Sequence, residues 1–214
     1  MPRNLVWSRA YRIDHWIRVA AVALLVFTGF YIHSPFFGPG PGDLAMAWVR
    51  WGHFLSAYVL ILGLIVRVYL AFNSRFDADW RDFGILKNLR GVPAMASYYF
   101  FLRPDHPQYR RYNPLQALTY VLWLLLLPFM ALTGFAVYKG QFFGLTQSNT
   151  AFLWVTNLLG GESAVRLWHF LGMWVFLATI VIHIYAAVLA SWWMRDGTLS
   201  SIFTGYKETK ETGV

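Results

Sequence analysis

The sequence predicts an all-α integral membrane protein, a four-helix bundle with both termini in the cytoplasm. Three observations predict it. Of the 214 residues 57% are hydrophobic and only 13% charged, whereas a soluble domain carries about a quarter charged residues. Four apolar runs are long enough to cross a bilayer, which takes roughly 20 residues. The basic residues, finally, are divided unevenly among the segments that flank those runs.

Taken in order, the spans run from about His15 to Ile32, Trp51 to Phe72, Leu115 to Tyr138 and Val165 to Trp193. Each is expected to be helical, because backbone in lipid must satisfy its own hydrogen bonds. The whole chain, 1–214, reads as one membrane domain. The first run is as long as a span and has no small-residue cleavage site behind it, so it does not read as a cleavable signal peptide.

Orientation follows from charge. The N-terminal arm carries Arg3, Arg9 and Arg12. The loop between the second and third spans carries Arg75, Arg81, Lys87, Arg90, Arg103, Arg110 and Arg111, and the tail adds Arg195, Lys207 and Lys210. The opposite segments hold only Arg50, Lys139 and Arg166. The positive-inside rule puts the richer side in the cytoplasm, and an even number of spans agrees. The +8 formal charge thus reports orientation in a membrane, and no nucleic-acid partner is expected.

The connecting segments differ in kind. The first outer loop, Ser34 to Val49, contains Pro35, Gly38, Pro39, Gly40, Pro41 and Gly42, and little regular structure is expected. The second, Gly140 to Glu162, is polar but holds Phe142, Phe143, Phe152 and Trp154, which suit either the lipid headgroup level or a docking surface. In the inner loop, Leu86 to Leu102 reads either as a short helix along the membrane surface, with Val92, Met95, Tyr98 and Tyr99, or as irregular loop.

The second and fourth spans repeat each other. Arg50-Trp51-Gly52-His53-Phe54-Leu55 matches Arg166-Leu167-Trp168-His169-Phe170-Leu171, and Val66-Arg67-Val68-Tyr69 matches Ile182-His183-Ile184-Tyr185 at the same offset. A shorter echo links the first and third, Phe27-Thr28-Gly29-Phe30 against Leu132-Thr133-Gly134-Phe135. The pattern is that of a helical hairpin used twice.

His169 and His183 are fourteen residues apart, about 21 Å along one helix and nearly four whole turns, so their imidazoles share a face near opposite membrane surfaces. Depth then pairs His53 with His169 on the outer side and His15 with His183 on the inner side. Ionisable groups within spans are costly and usually functional, and histidine is the commonest metal ligand. The chain has no cysteine, which excludes thiolate metal sites, iron–sulfur clusters on this polypeptide and covalently attached c-type haem. Two bis-histidine b-type haems fit this pattern. A metal or proton pathway fits less well, because few carboxylates accompany the histidines, and structural histidines in a haem-free transport or scaffold bundle are the remaining reading.

Other residues carry two readings each. Arg67 sits fourteen residues past His53, on the same face near the inner surface, where it can neutralise a haem propionate or extend to the headgroups. Gly29, Gly134 and Gly172 suit close approach of a flat macrocycle or of a neighbouring helix. His33 and His106 lie at or beyond the span boundaries and read as solvated.

The order Arg-Ile-x-His-Trp in the first span, Arg-x-x-His-Phe in the second, Tyr112-Asn113-Pro114 before the third, and His-Phe-Leu-Gly-Met-Trp with a second histidine fourteen on in the fourth resembles the b-type cytochrome subunit of membrane-bound nickel–iron hydrogenases. Phe101-Leu102-Arg103-Pro104 and the ending Phe203-Thr204-Gly205-Tyr206-Lys207 extend the likeness to nearly the whole chain. The histidine pattern itself is shared with the wider diheme cytochrome b family, including the membrane subunit of formate dehydrogenase.

This resemblance implies a multi-pass subunit of the bacterial inner membrane. It implies partnership with a large nickel–iron subunit that oxidises hydrogen and a small subunit that relays electrons through iron–sulfur clusters. Electrons then pass through two haem b groups to menaquinone or ubiquinone. The subunit itself does not activate hydrogen. In related subunits the quinone lies beside the inner haem, which points to Asn113 and Gln116 as donors to a quinone carbonyl; the plainer reading of Asn113 is a helix cap. A diheme cytochrome that stands alone as a quinone oxidoreductase, or that serves formate, thiosulfate or a soluble carrier, is the alternative.

Overall fold

Each of the four apolar runs corresponds to one long helix; the first two helices outrun theirs at both ends, the third stops one residue short of Tyr138, and the fourth begins three residues before Val165. The computed structural model describes residues 3–38, 44–73, 84–103, 112–142, 144–192 and 197–208. After a short strand β1 (Arg3–Leu5), α1 (Arg9–His33), α2 (Ala45–Asn73), α4 (Pro114–Val137) and α7 (Glu162–Trp192) are the long helices, and α3 (Ile85–Tyr99) precedes α4. Between α4 and α7 come strands β2 (Gln141–Phe142) and β3 (Thr146–Gln147) and the short helices α5 (Ser148–Ala151) and α6 (Leu153–Leu159). Helix α8 (Thr198–Thr204) and strand β4 (Tyr206–Glu208) follow α7.

The four long helices are 24 to 31 residues in length and apolar enough to cross a membrane. The extra turns have a physical origin. A helix gains one hydrogen bond per added residue and stops where a cap takes over its orphan groups, not where hydrocarbon ends. α1 starts at Ser8, whose side chain accepts from the Tyr11 amide. α4 starts at Asn113, with a proline directly inside. Leu62, Ile65, Leu125, Val181 and Ile182 project outward from these helices, as lipid-facing residues do.

The chain divides into two compact units, residues 1–78 with 190–214, and residues 79–189. In the first, α1 and α2 form a hairpin. Below it the two ends of the chain are clasped together. β1 pairs antiparallel with β4, Arg3 opposite Glu208 and Leu5 opposite Tyr206. Trp7 Nε1 donates to Ser201 Oγ at 3.2 Å, Arg12 donates to the Phe203 carbonyl, and the Trp16 and Phe203 rings lie 4.8 Å apart. The clasp puts both ends of the described chain on one side of the membrane. Gly205 makes it possible: its φ is +92°, its carbonyl accepts from the Val6 and Trp7 amides, and a Cβ there would lie 2.9 Å from the Trp7 carbonyl oxygen.

In the second unit α3 does form across the segment expected at the inner surface. It buries Asn88, Met95, Tyr98 and Tyr99 and leaves Leu86 and Leu89 exposed. The segment 140–162 is more ordered than its composition suggests, with a β2–β3 hairpin and the two short helices α5 and α6. Its Val155 packs with Ala136 and Val165, and Phe152 stacks on Phe135 at 5.2 Å, while Trp154 stays exposed. The expected irregular stretch Pro39 to Gly42, the side chain of Phe142, and Phe143, Arg75, Arg81, Pro104, His106, Arg110, Arg111, Arg195 and Lys210 lie outside the described residues.

Replacing Gly205 with Val should open the clasp. A β-branched side chain held at positive φ costs about 1–2 kcal/mol, and the clash with Trp7 adds to it. Amide exchange at Val6 and Trp7 is expected to accelerate in the variant; unchanged protection of both amides would contradict the clasp.

Candidate functional site

All four candidate histidines lie on long helices and are half-buried. Within the first unit the stripe His53, Ser56, Leu60, Gly63, Arg67 advances by alternating steps of three and four, so it stays on one face of α2. That face meets α1. Thr28 Oγ1 lies 2.8 Å from His53 Nδ1. A Cβ on Gly63 would lie 3.0 Å from the Arg18 side chain, which is ion-paired to Asp14 one turn earlier. The Arg67 guanidinium stands 5.4 Å over the Tyr11 ring, and Tyr11 stacks on Trp7 at 4.6 Å. Arg67 is thus held by a cation–π contact to Tyr11. His15 lies one turn after Tyr11 on α1.

The second unit repeats this pattern 116 residues later. His169, Gly172, Phe176, Thr179 and His183 form the corresponding stripe on α7, facing α4. Thr133 Oγ1 lies 2.9 Å from His169 Nδ1. A Cβ on Gly134 would sit 3.3 Å from His169 Cε1, and one on Gly172 would collide with Met130. Gly134 therefore admits the imidazole itself, and Gly172 the neighbouring helix. Trp123 packs on Phe176 at 5.7 Å, donates from Nε1 to Thr179 Oγ1 at 2.8 Å, and stands edge-on to His183 with ring centroids 5.4 Å apart.

At the start of α4, Asn113 and Gln116 form a reciprocal cap. Asn113 Oδ1 accepts from the Gln116 amide at 2.9 Å, Gln116 Oε1 accepts from the Asn113 amide at 3.1 Å, and Asn113 Nδ2 donates to the Tyr99 hydroxyl at 3.1 Å. The Gln116 Nε2 amide is the donor left out of this cap. His33 ends α1 and is exposed.

A sequence model of the prokaryotic cytochrome b561 family matches residues 6–205. The chain belongs to this family. It is 31% identical to the "Probable Ni/Fe-hydrogenase B-type cytochrome subunit" of Cupriavidus necator, over 96% of this chain and 87% of that protein. Its identity to the protein of the same name from Rhodobacter capsulatus is also 31%, over 96% and 82%. The "Probable Ni/Fe-hydrogenase 1 B-type cytochrome subunit" of Escherichia coli K12 is 27% identical, over 97% and 92%. The protein is accordingly an all-α, multi-pass membrane cytochrome, as its sequence leads one to expect.

Family membership implies a b-type haem, and the residues fit one. Haem iron in such cytochromes takes axial side-chain ligands, histidine among them. Two of the histidines spend Nδ1 on a threonine, which turns the other nitrogen, Nε2, to coordination. Among the described residues no group of three or more His, Asp or Glu side chains gathers as a protein-only metal site requires. The donors are single imidazoles set along spans, which suits a macrocycle that supplies the equatorial ligands itself. The two threonines went unassigned at the level of sequence, although both stand inside the echoed Thr-Gly-Phe motif.

Proposed function

We propose that this cytochrome is the membrane subunit of a nickel–iron hydrogenase and passes electrons from an iron–sulfur small subunit to membrane quinone. In this reading it holds two haem b groups, one between His53 and His169 and one between His15 and His183. The observation that carries the haem assignment is the repeated stripe, which sets His53 and His169 at equivalent positions of two hairpins. The relatives' printed names, over nearly their full lengths, support the hydrogenase partnership. A bound haem b supplies a one-electron carrier.

The chain's own residues do the rest. On α7 the two histidines stand about 21 Å apart by helix rise, so they serve opposite sides of the hydrocarbon. Arg67, steadied by Tyr11, places a positive charge at the inner depth, where a propionate needs one. The outer segment 140–162, with exposed Leu145, Trp154 and Leu158, and the stretch 34–49 form the face for the small subunit. The quinone, menaquinone or ubiquinone, sits by the inner histidines near Asn113 and Gln116. Asn113 contributes there by holding the helix start, and Gln116 Nε2 donates to the quinone carbonyl. The basic arm, inner loop and tail support cytoplasmic termini by the positive-inside rule, and a quinone reduced at this depth then draws its protons from that side.

Purification through a tag on this chain should bring down a hydrogenase large and small subunit, with a b-type spectrum that hydrogen reduces. His53→Ala and His169→Ala should each remove one haem, and His15→Ala and His183→Ala the other. Two haems retained in any of the four variants would contradict the ligand assignment.

Gln116→Ala should keep both haems and their reduction by hydrogen but slow quinone reduction several-fold, in line with a lost hydrogen bond of about 1 kcal/mol. Asn113→Ala should do the same and also lower Tm, since an N-cap is worth about 1 kcal/mol. Normal quinone turnover in both variants would place the quinone elsewhere.

A reporter that is active only in the cytoplasm should work when fused after Val214. Activity restricted to a reporter that requires export would reverse the proposed orientation.

A further inference from the structure

We infer that Thr28 and Thr133 are paired positioning residues for the outer haem, each fixing the tautomer and ring plane of one axial histidine through its Nδ1. The inference rests on the haem reading above and goes beyond naming the ligands.

The count of protons at each threonine decides which group donates. A threonine hydroxyl has one proton and two lone pairs. Thr28 Oγ1 lies 2.5 Å from the Leu24 carbonyl oxygen and 3.2 Å from that of Leu25. Thr133 Oγ1 lies 2.8 Å from the Phe129 carbonyl oxygen and 3.2 Å from that of Met130. A hydroxyl that back-bonds to its own helix in this way has given up its proton. What it turns to the imidazole is a lone pair, so the ring must donate, and Nδ1 carries the hydrogen. A neutral imidazole protonated at Nδ1 has its lone pair on Nε2, the nitrogen through which iron is then bound.

Burial keeps water from replacing the contact, although at His53 the Leu25 carbonyl is a second partner of the imidazole. Thr28 is 6% exposed and Thr133 fully buried, so water has little access to take over as acceptor. Gly134 presses close to the His169 ring from the same helix, which limits how far the imidazole can rotate. Threonine in a helix has few rotamers, and its hydroxyl points back to the preceding turn. A serine or threonine that merely back-bonds is common in membrane helices. Here the same hydroxyl meets the same ring nitrogen in both hairpins, at equivalent positions of the repeat. The other histidine of α7 is different: His183 faces the Trp123 ring, so the inner haem provides an internal control.

A hydrogen bond from Nδ1 makes an imidazole a stronger donor to the metal. It should therefore favour ferric iron, lower the outer haem's potential and slow its loss. The experiment uses the purified complex containing the full chain, with Thr28→Val, Thr133→Val and the corresponding serine variants. Three quantities are read: haem transfer to excess apomyoglobin, the midpoint potential of each haem, and the low-spin ferric EPR signals. Each valine variant should lose the outer haem on the order of 10-fold faster, raise its midpoint and move its EPR signal, with the inner haem unchanged. Each serine variant should behave as the unmodified protein.

Valine variants with unchanged loss rate and potential would overturn the inference. So would serine variants as impaired as valine, since the effect would then come from the threonine methyl. Where a valine variant does not accumulate, pulsed EPR of the unmodified complex decides: both outer ligands should show an exchangeable proton on the remote ring nitrogen, and its absence from either one overturns the proposal. An unmodified chain without b-type haem would instead bring down the haem reading, a result distinct from a haem-replete chain indifferent to these threonines.

Discussion

A threonine hydroxyl, bonded at once to a backbone carbonyl of its own helix and to an imidazole of the next, sets the register of both helical hairpins. Helices in lipid gain little from hydrophobic burial against each other, and their alignment depends on small residues, close packing and polar contacts. Once Thr28 meets His53, the alternating steps of α2 bring Gly63 to Arg18 and Arg67 to Tyr11. Once Thr133 meets His169, α7 brings Gly172 to Met130, Thr179 to Trp123 and His183 to the Trp123 ring. Where the histidines stand follows from that register.

The two hairpins are alike to the level of their caps. Ser8 and Asn113 stand 105 residues apart, as do Thr28 and Thr133, and each of the first pair caps its helix through the amide three residues on. The differences are then informative. Arg18 stands where the second hairpin has Trp123, and Arg67 where it has His183. His15 has Tyr120 as its counterpart. One hairpin thus carries a histidine, His15, on its first helix and adds positive charge; the other carries both histidines on its second helix and sets Trp123 against His183. A repeat that diverged this way keeps one histidine at an equivalent position of both hairpins, His53 and His169, and a second at inequivalent positions, His15 and His183. That suits two haems with different neighbours.

Much of this was legible in the sequence because membrane solvation leaves a strong mark. Twenty apolar residues in a row have few other readings, and the fourteen-residue spacing of His169 and His183 fixes a shared helix face. The helix ends were less legible, since α1 and α2 continue six residues beyond the apolar run at their N-terminal ends, and α1 starts where Ser8 caps it rather than where the apolar run begins. The terminal clasp was invisible: β1 and β4 are three-residue strands far apart in sequence, brought together through a turn at Gly205 with positive φ. The order in segment 140–162 was hidden for a similar reason, because strands of two residues and helices of four and seven are too short to show a periodicity. Thr28 and Thr133 lay within the observed echo, yet a threonine in a membrane helix ordinarily bonds only to its own backbone. Their role needed the distance to a histidine on another helix.

The account stands on two haems held by imidazole pairs. The most direct measurement is a potentiometric titration of the purified, unmodified chain, with haem counted per polypeptide and ferric EPR recorded at each potential. The account predicts two b-type haems per chain, resolved as two one-electron components, each low-spin with bis-imidazole signals. One haem per chain, or a high-spin component with a single histidine ligand, would contradict it.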